Sequence, residues 1–216
     1  MKHKHTYYIY ASFAFLLFVA LGYMVKFYPE ALTGFDSNIQ TWVRGDLPGG
    51  LTAFFKMITT LGNTSVQAVI AILAVIWLYL RQYKAEAIFV GTSGVLASTM
   101  IMSLKYIYQR PRPSITHLVH AGGYSFPSGH SLGTFMILGA IAIVLTQRLV
   151  KKAAKTAVYG ITGLLIFLVG LSRIYVGVHY PTDVLAGFTL AFGLLNAIYP
   201  TYDRIRFEWR FQSKQK

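Results

Sequence analysis

Six stretches of about 15 to 20 residues each carry one charged side chain between them, Glu86, and no other feature restricts the possible folds as much. A helix rises about 1.5 Å per residue and the hydrocarbon core of a bilayer is roughly 30 Å thick, so runs of this length match membrane crossings. They are Thr6 to Val25, Ser65 to Leu80, Ala85 to Leu104, Ser131 to Thr146, Thr156 to Leu171 and Val184 to Ile198. Composition agrees: 55% of the chain is hydrophobic and only 12% charged, against about 25% charged in a soluble domain. The expectation is an all-α, six-span transmembrane helical bundle, one integral membrane domain over residues 1–216.

The first run follows "MKHKH", the position of a signal peptide, but it is about 20 uncharged residues long with no small-residue cleavage pattern after it. It reads as an uncleaved first span. Alternation across six spans then sorts the cations unevenly. Lys2, Lys4, Arg81, Lys84, Arg148, Lys151, Lys152, Lys155, Arg204, Arg206, Arg210, Lys214 and Lys216 share one side, which the positive-inside rule makes cytoplasmic, with both termini on it. Opposite them stand Lys26, Arg44, Lys56, Lys105, Arg110, Arg112 and Arg173; the last four lie in or beside the two later outer loops and need another explanation. The formal charge of +13 is therefore mainly a topology signal of a multi-pass cell-membrane protein. Its bases form end-of-span clusters, not a stripe with interleaved aromatics, which argues against nucleic acid as a partner. The lack of cysteine excludes disulfides and thiolate metal sites.

Between the first two spans, Ile39, Trp42 and Val43, then Leu51, Phe54, Phe55 and Ile58, recur at helical spacing on either side of "LPGG". This predicts two short amphipathic extracytoplasmic helices, the first capped by Ser37, lying on the membrane surface or packed on the bundle. No internal repeat is present.

Three polar islands fall on the outer face: "KYIYQRPRP" at Lys105 to Pro113, "PSGH" at Pro127 to His130, and "SRIYVGVHYPTD" at Ser172 to Asp183. Ionisable groups near hydrocarbon are costly, so such a cluster calls for a function. Lys105 and Arg112 can converge on one anion, a point charge beside a planar fork; an interfacial snorkelling pair is the competing reading. In "PSGH", Ser128 reads as a helix N-cap, Gly129 lets a ligand approach the backbone, and His130 sits in the first turn beside the free amides. An ordinary capped turn with an interfacial histidine is the alternative there. His179 and Asp183, at i and i+4, can share a face, so that the carboxylate orients the imidazole; an Asp183–Arg173 ion pair competes with that arrangement. His130, His179 and Asp183 also match a two-histidine, one-carboxylate metal set, but Lys105, Arg112 and Arg173 would repel a divalent ion and suit a phosphate.

Together these residues resemble the type-2 phosphatidic acid phosphatase superfamily of membrane lipid phosphatases, similar at the active site to vanadium haloperoxidases and bacterial acid phosphatases. Its signature is Lys, six residues, Arg-Pro; then Pro-Ser-Gly-His; then Ser-Arg, five residues, His, three residues, Asp. Lys105 with Arg112-Pro113, Pro127 to His130, and Ser172-Arg173 with His179 and Asp183 match it in order and spacing. The resemblance implies that His179 is the nucleophile forming a phosphohistidine, Asp183 its orienting partner, and His130 the acid for the leaving oxygen and then the base for water. It further implies that Lys105, Arg112, Ser128, Gly129 and Arg173 hold phosphate oxygens, that Ser172 orients Arg173, and that neither metal nor cofactor is needed. Length and layout resemble the small bacterial six-span members of the phosphatidylglycerophosphatase B type. That likeness implies hydrolysis of phosphatidylglycerol phosphate or undecaprenyl diphosphate, with phosphatidic acid, diacylglycerol pyrophosphate or transfer to an acceptor hydroxyl as alternatives. A lipid-binding transporter without chemistry is the reading from another class. His117 and His120 precede "PSGH", either touching headgroups or solvated, and Gly122 to Phe126 remain without a role.

Overall fold

A computed structural model describes residues 4–215; Lys2 and Lys216, counted above with the cytoplasmic cations, lie outside them. Eight helices make up the fold: α1 (Lys4–Phe27), α2 (Pro29–Arg44), α3 (Gly49–Thr60), α4 (Thr64–Leu80), α5 (Lys84–Tyr108), α6 (Gly129–Thr146), α7 (Lys152–Tyr175) and α8 (Pro181–Phe211). No strand occurs among the described residues. Prolines open α2 and α8 at their first positions, where the missing N–H costs nothing. The C-cap of α5, Gln109, is left-handed (φ 50°), and the chain then leaves through Pro111 and Pro113.

Five helices, α1, α5, α6, α7 and α8, are each long and apolar enough to cross a membrane. The sixth expected span, α4, has 17 residues, about 25 Å at helical rise and at the short end of what crosses a hydrocarbon core. It reaches the criterion only together with α3, from which it is bent by 49°.

Two expectations need correction. Ser37 caps nothing: α2 begins eight residues earlier at Pro29, and the Ser37 hydroxyl donates back to the Gly34 carbonyl at 3.3 Å. The last helix does not end near Ile198 but continues through Pro200 to Phe211. Charge marks where a helix leaves the apolar region, not where its backbone hydrogen bonding stops.

Packing centres on α6, which lies against α5, α7 and α8, while α1 runs along α8. Leu132, Met136 and Ala140 of α6 meet Phe89 and Val90 of α5 and Ala186, Leu190 and Ala191 of α8 in one buried cluster. Lipid leaves little hydrophobic drive between helices, so close approach matters. A Cβ on Gly193 would lie 2.8 Å from Phe15 Cε1 and 3.1 Å from the Ala14 Cβ, which makes glycine necessary where α8 meets α1. Outward faces are apolar, as at Phe13, Leu16 and Leu17 in α1 and Ile161, Leu164 and Phe167 in α7. At the α5 start, buried Glu86 binds Arg148 (2.9 Å) and Arg210 (3.3 Å), which fastens the extended end of α8 to the bundle. Helices α2 and α3 pack on α7, and α2 also touches α1 and α8.

Candidate active site

The opposite end of α5 carries Lys105, whose Nζ donates to the Tyr124 carbonyl. Beyond the α5 cap, Arg112 binds three carbonyls: Gly122 (2.8 Å), Gly123 (3.0 Å) and Val178 (2.7 Å). One guanidinium thus ties the loop before "PSGH" to the loop before α8, and Gly122 and Gly123 gain a defined place. Ser128 is the N-cap of α6, as expected, accepting from Ser131 N at 3.3 Å and Ser131 Oγ at 2.9 Å. It is fully buried, and its own N–H donates to the Asp183 carbonyl at 3.0 Å. Gly129 faces the Ile101 side chain, 3.3 Å from where a Cβ would stand.

Arg173 is buried at the end of α7, with Nη1 donating to Thr59 Oγ1 at 2.6 Å and Nε without a protein partner. Arg173 also lines the cavity, so this open donor is available to an acceptor bound there. Ser172 is not seen to bind Arg173: its hydroxyl donates to the Val169 carbonyl at 2.6 Å, and Arg173 Nη1 goes to Thr59 instead. His179 is also buried. Its Nδ1 faces Asp183 Oδ2 at 3.3 Å, and its Nε2 lies 3.4 Å from Arg112 Nη1. Burial, reinforced by Arg173, Arg112 and Lys105, holds this imidazole well below its ordinary value of 6.5, so the ring is neutral at pH 7. A neutral ring donating from Nδ1 to the carboxylate leaves Nε2 unprotonated, with its lone pair turned to the Arg112 guanidinium at 3.4 Å. His130 enters from the other side, Nε2 3.1 Å from Asn63 Oδ1.

Lys105, Arg112, Gly129, His130, Arg173 and His179 all line one cavity of about 870 Å³. Ser128 and Asp183 stand behind this lining. From the cationic end the cavity runs between α4 and α5 as an apolar trough past Ala71, Val75, Gly94 and Gly91. Lys105 and Gly91 are 14 residues apart on one helix, so the trough is about 21 Å long at helical rise. His120 lines the cavity too, while His117 is bonded to the Pro113 carbonyl at 2.9 Å.

Several residues here escaped the sequence reading. The carboxylate of Asp183 pairs with Arg110 (2.6 Å), not with Arg173, and Arg110 also binds Asp36 of α2 (2.8 Å). Asn63 and Thr59, at the α3–α4 elbow, contact His130 and Arg173, and a Cβ on Gly62 would collide with the His130 ring. The sequence held no signal for Asp36: the buried residues of α2 are Leu32, Asp36 and Gln40, a face that apolar spacing passes over. A carboxylate and an amide on the face turned inward are polar groups in need of partners.

Comparison with known proteins gives a consistent picture. The PAP2 superfamily pattern matches residues 87–207, just over half of the chain. Phosphatidylglycerophosphatase B of Bacillus subtilis is 46% identical over 93 residues, 43% of this chain and 45% of that protein. Undecaprenyl-diphosphatase BcrC of the same organism is 32% identical over 133 residues, 59% of this chain and 64% of that one. The matched regions thus span about half to two thirds of those relatives' lengths. The crystal structure of a transmembrane PAP2-type phosphatidylglycerolphosphate phosphatase from Bacillus subtilis superposes with a TM-score of 0.83 at 28% identity, covering 90% of this chain and 96% of that one.

Proposed function

From the premise that the chain belongs to the PAP2 superfamily, we propose that it is a metal-independent lipid phosphate phosphatase acting through a phosphohistidine. Its substrates are phosphatidylglycerol phosphate, undecaprenyl diphosphate or both. One observation carries this reading: a cationic pocket holding two histidines opens directly into an apolar trough long enough for an acyl chain or for the part of a prenyl tail next to its headgroup. In it, His179 Nε2 attacks phosphorus while Nδ1–H stays on the ring and donates to Asp183, which stabilises the cationic ring that forms. His130 protonates the leaving lipid oxygen, then takes a proton from the water that opens the phosphohistidine. Lys105, Arg112, Arg173 and the α6 start, with Gly129 and its cap Ser128, supply the positive potential for the nonbridging oxygens, work that magnesium does in other phosphoryl transfers.

The site lies at the end of the bundle opposite the Glu86–Arg148–Arg210 cluster. Since that basic end reads as cytoplasmic, the proposed active site is extracytoplasmic, on the leaflet where a used prenyl diphosphate carrier faces outward.

The decisive experiment gives purified full-length protein the four candidate lipids, phosphatidylglycerol phosphate, undecaprenyl diphosphate, phosphatidic acid and diacylglycerol pyrophosphate, in micelles with a chelator. Inorganic phosphate is expected, vanadate inhibits, and His179→Ala loses on the order of a thousandfold in kcat. Full activity in His179→Ala overturns the mechanism. A phosphorylated acceptor without free phosphate identifies a transferase.

A further inference from the structure

Arg110 and Asp36 form the part of the site that the mechanism above does not use. The Arg110 guanidinium is 8% exposed and divides its fork between two buried carboxylates, Nη2 to Asp36 Oδ2 at 2.8 Å and Nη1 to Asp183 Oδ1 at 2.6 Å. Nη1 also reaches Thr182 Oγ1 at 2.7 Å, and the guanidinium carbon sits 3.9 Å from the centre of the Tyr180 ring. Asp36, 2% exposed, accepts two further bonds, from Thr182 N at 2.9 Å and Thr182 Oγ1 at 2.8 Å.

This arrangement does two things to Asp183. Thr182 N belongs to the first turn of α8, where amides lack intrahelical partners, so Asp36 caps from α2 the helix that carries Asp183. The second effect concerns charge. Arg110 alone would neutralise Asp183 and leave little to face a cationic His179. With Asp36 on the other arm of the fork, the trio holds two negative charges and one positive, and a net negative charge remains beside the imidazole.

We infer that Asp36, acting through Arg110, is a positioning residue for phosphoryl transfer: it fixes the Asp183 carboxylate against His179 and preserves its charge. The inference rests on the phosphatase reading. In the step it supports, the Nε2–P bond forms as the P–O bond to the lipid breaks. The leaving oxygen takes the His130 proton, and the positive charge left on the His179 ring is the one this trio meets. A residue remote from the cavity then affects turnover without touching the lipid.

The test uses full-length protein in detergent with whichever of the four lipids named above wild type dephosphorylates fastest, reading kcat and KM separately. Asp36→Asn is expected to lower kcat about tenfold or more with KM within about twofold, because the lost interaction matters only as charge develops. Removing the opposing charge as well, in Asp36→Asn/Arg110→Gln, returns the trio to a net negative charge and recovers several-fold of the lost kcat. A purely structural role would make that double variant worse than the single one, and this result overturns the inference, as does a wild-type kcat in Asp36→Asn. Should Asp36→Asn not fold, Asp36→Glu and Arg110→Lys decide, since both keep the charges but move the fork: lowered kcat at unchanged KM supports the inference and wild-type kcat in both overturns it. If wild-type protein releases no phosphate at all, the phosphatase reading falls and the inference with it; an active wild type with an inactive His179→Ala leaves that reading standing whatever Asp36 does.

Discussion

His179 and His130 lie in one cavity under different constraints. His179 is wedged between a carboxylate and a guanidinium, with Asp183 Oδ2 at 3.3 Å and Arg112 Nη1 at 3.4 Å, whereas His130 has a neutral amide, Asn63, as its partner at 3.1 Å. Both rings change charge in the proposed cycle, but only His179 has a carboxylate against it to meet the positive charge that attack on phosphorus creates. The depressed His179 value has a consequence for stability with a definite sign. In the unfolded chain this histidine protonates near 6.5, but in the folded chain only well below that, so on acidification the unfolded state binds the proton first. Stability is therefore full above about pH 6.5 and falls beneath it, by up to about 1.4 kcal/mol per pH unit. Between pH 7.5 and 5.5 the thermal midpoint in detergent should drop more for wild type than for His179→Gln. Parallel curves would contradict a neutral buried ring.

Among the elements, α2 departs most from what its sequence pattern suggested. Its apolar spacing, Ile39, Trp42 and Val43, predicted a greasy face laid on the membrane or on the bundle; Leu32, Asp36 and Gln40 are the buried residues, Ile39 and Val43 are half-buried, and Trp42 is 83% exposed. The helix turns its polar side inward because the bundle end it covers contains Arg110, the Thr182 amide and the His179 carbonyl, which accepts from Gln40 Nε2 at 3.5 Å. The α4–α5 pair shows a different principle: small residues such as Ala71, Gly91 and Gly94 leave a trough where larger ones would fill it. Ser98 lines this trough and is exposed, so a large side chain is tolerated there. Ser98→Trp is expected to raise KM for a long-tailed lipid phosphate about tenfold while changing kcat/KM for a short soluble phosphate less than about twofold. Equal losses on both substrates would place the tail elsewhere.

For the whole molecule, the open property is orientation, and the composition offers a clean measurement. The chain has no cysteine, so a single introduced thiol is the only one to react. Val150, 95% exposed between α6 and α7, and Ser114, exposed in the loop after α5, lie in connections at opposite ends of the bundle. In intact cells an impermeant maleimide should label Ser114→Cys but not Val150→Cys; the reverse pattern would invert the topology. The six apolar runs, their helical state and the convergence of three motif islands were legible along the chain, because hydrophobic length and residue spacing are local properties. The bend that joins α3 to α4 and the run of α8 beyond its apolar segment were not, because hydropathy reports the solvent around a helix and not where it bends or ends. Asp36, Thr59 and Asn63, and the two carboxylates that Arg110 joins, became visible only in the folded chain. Asp36 and Asp183 are 147 positions apart, and they share one guanidinium only because α2 folds over the start of α8, a partnership that tertiary packing creates and no periodicity announces.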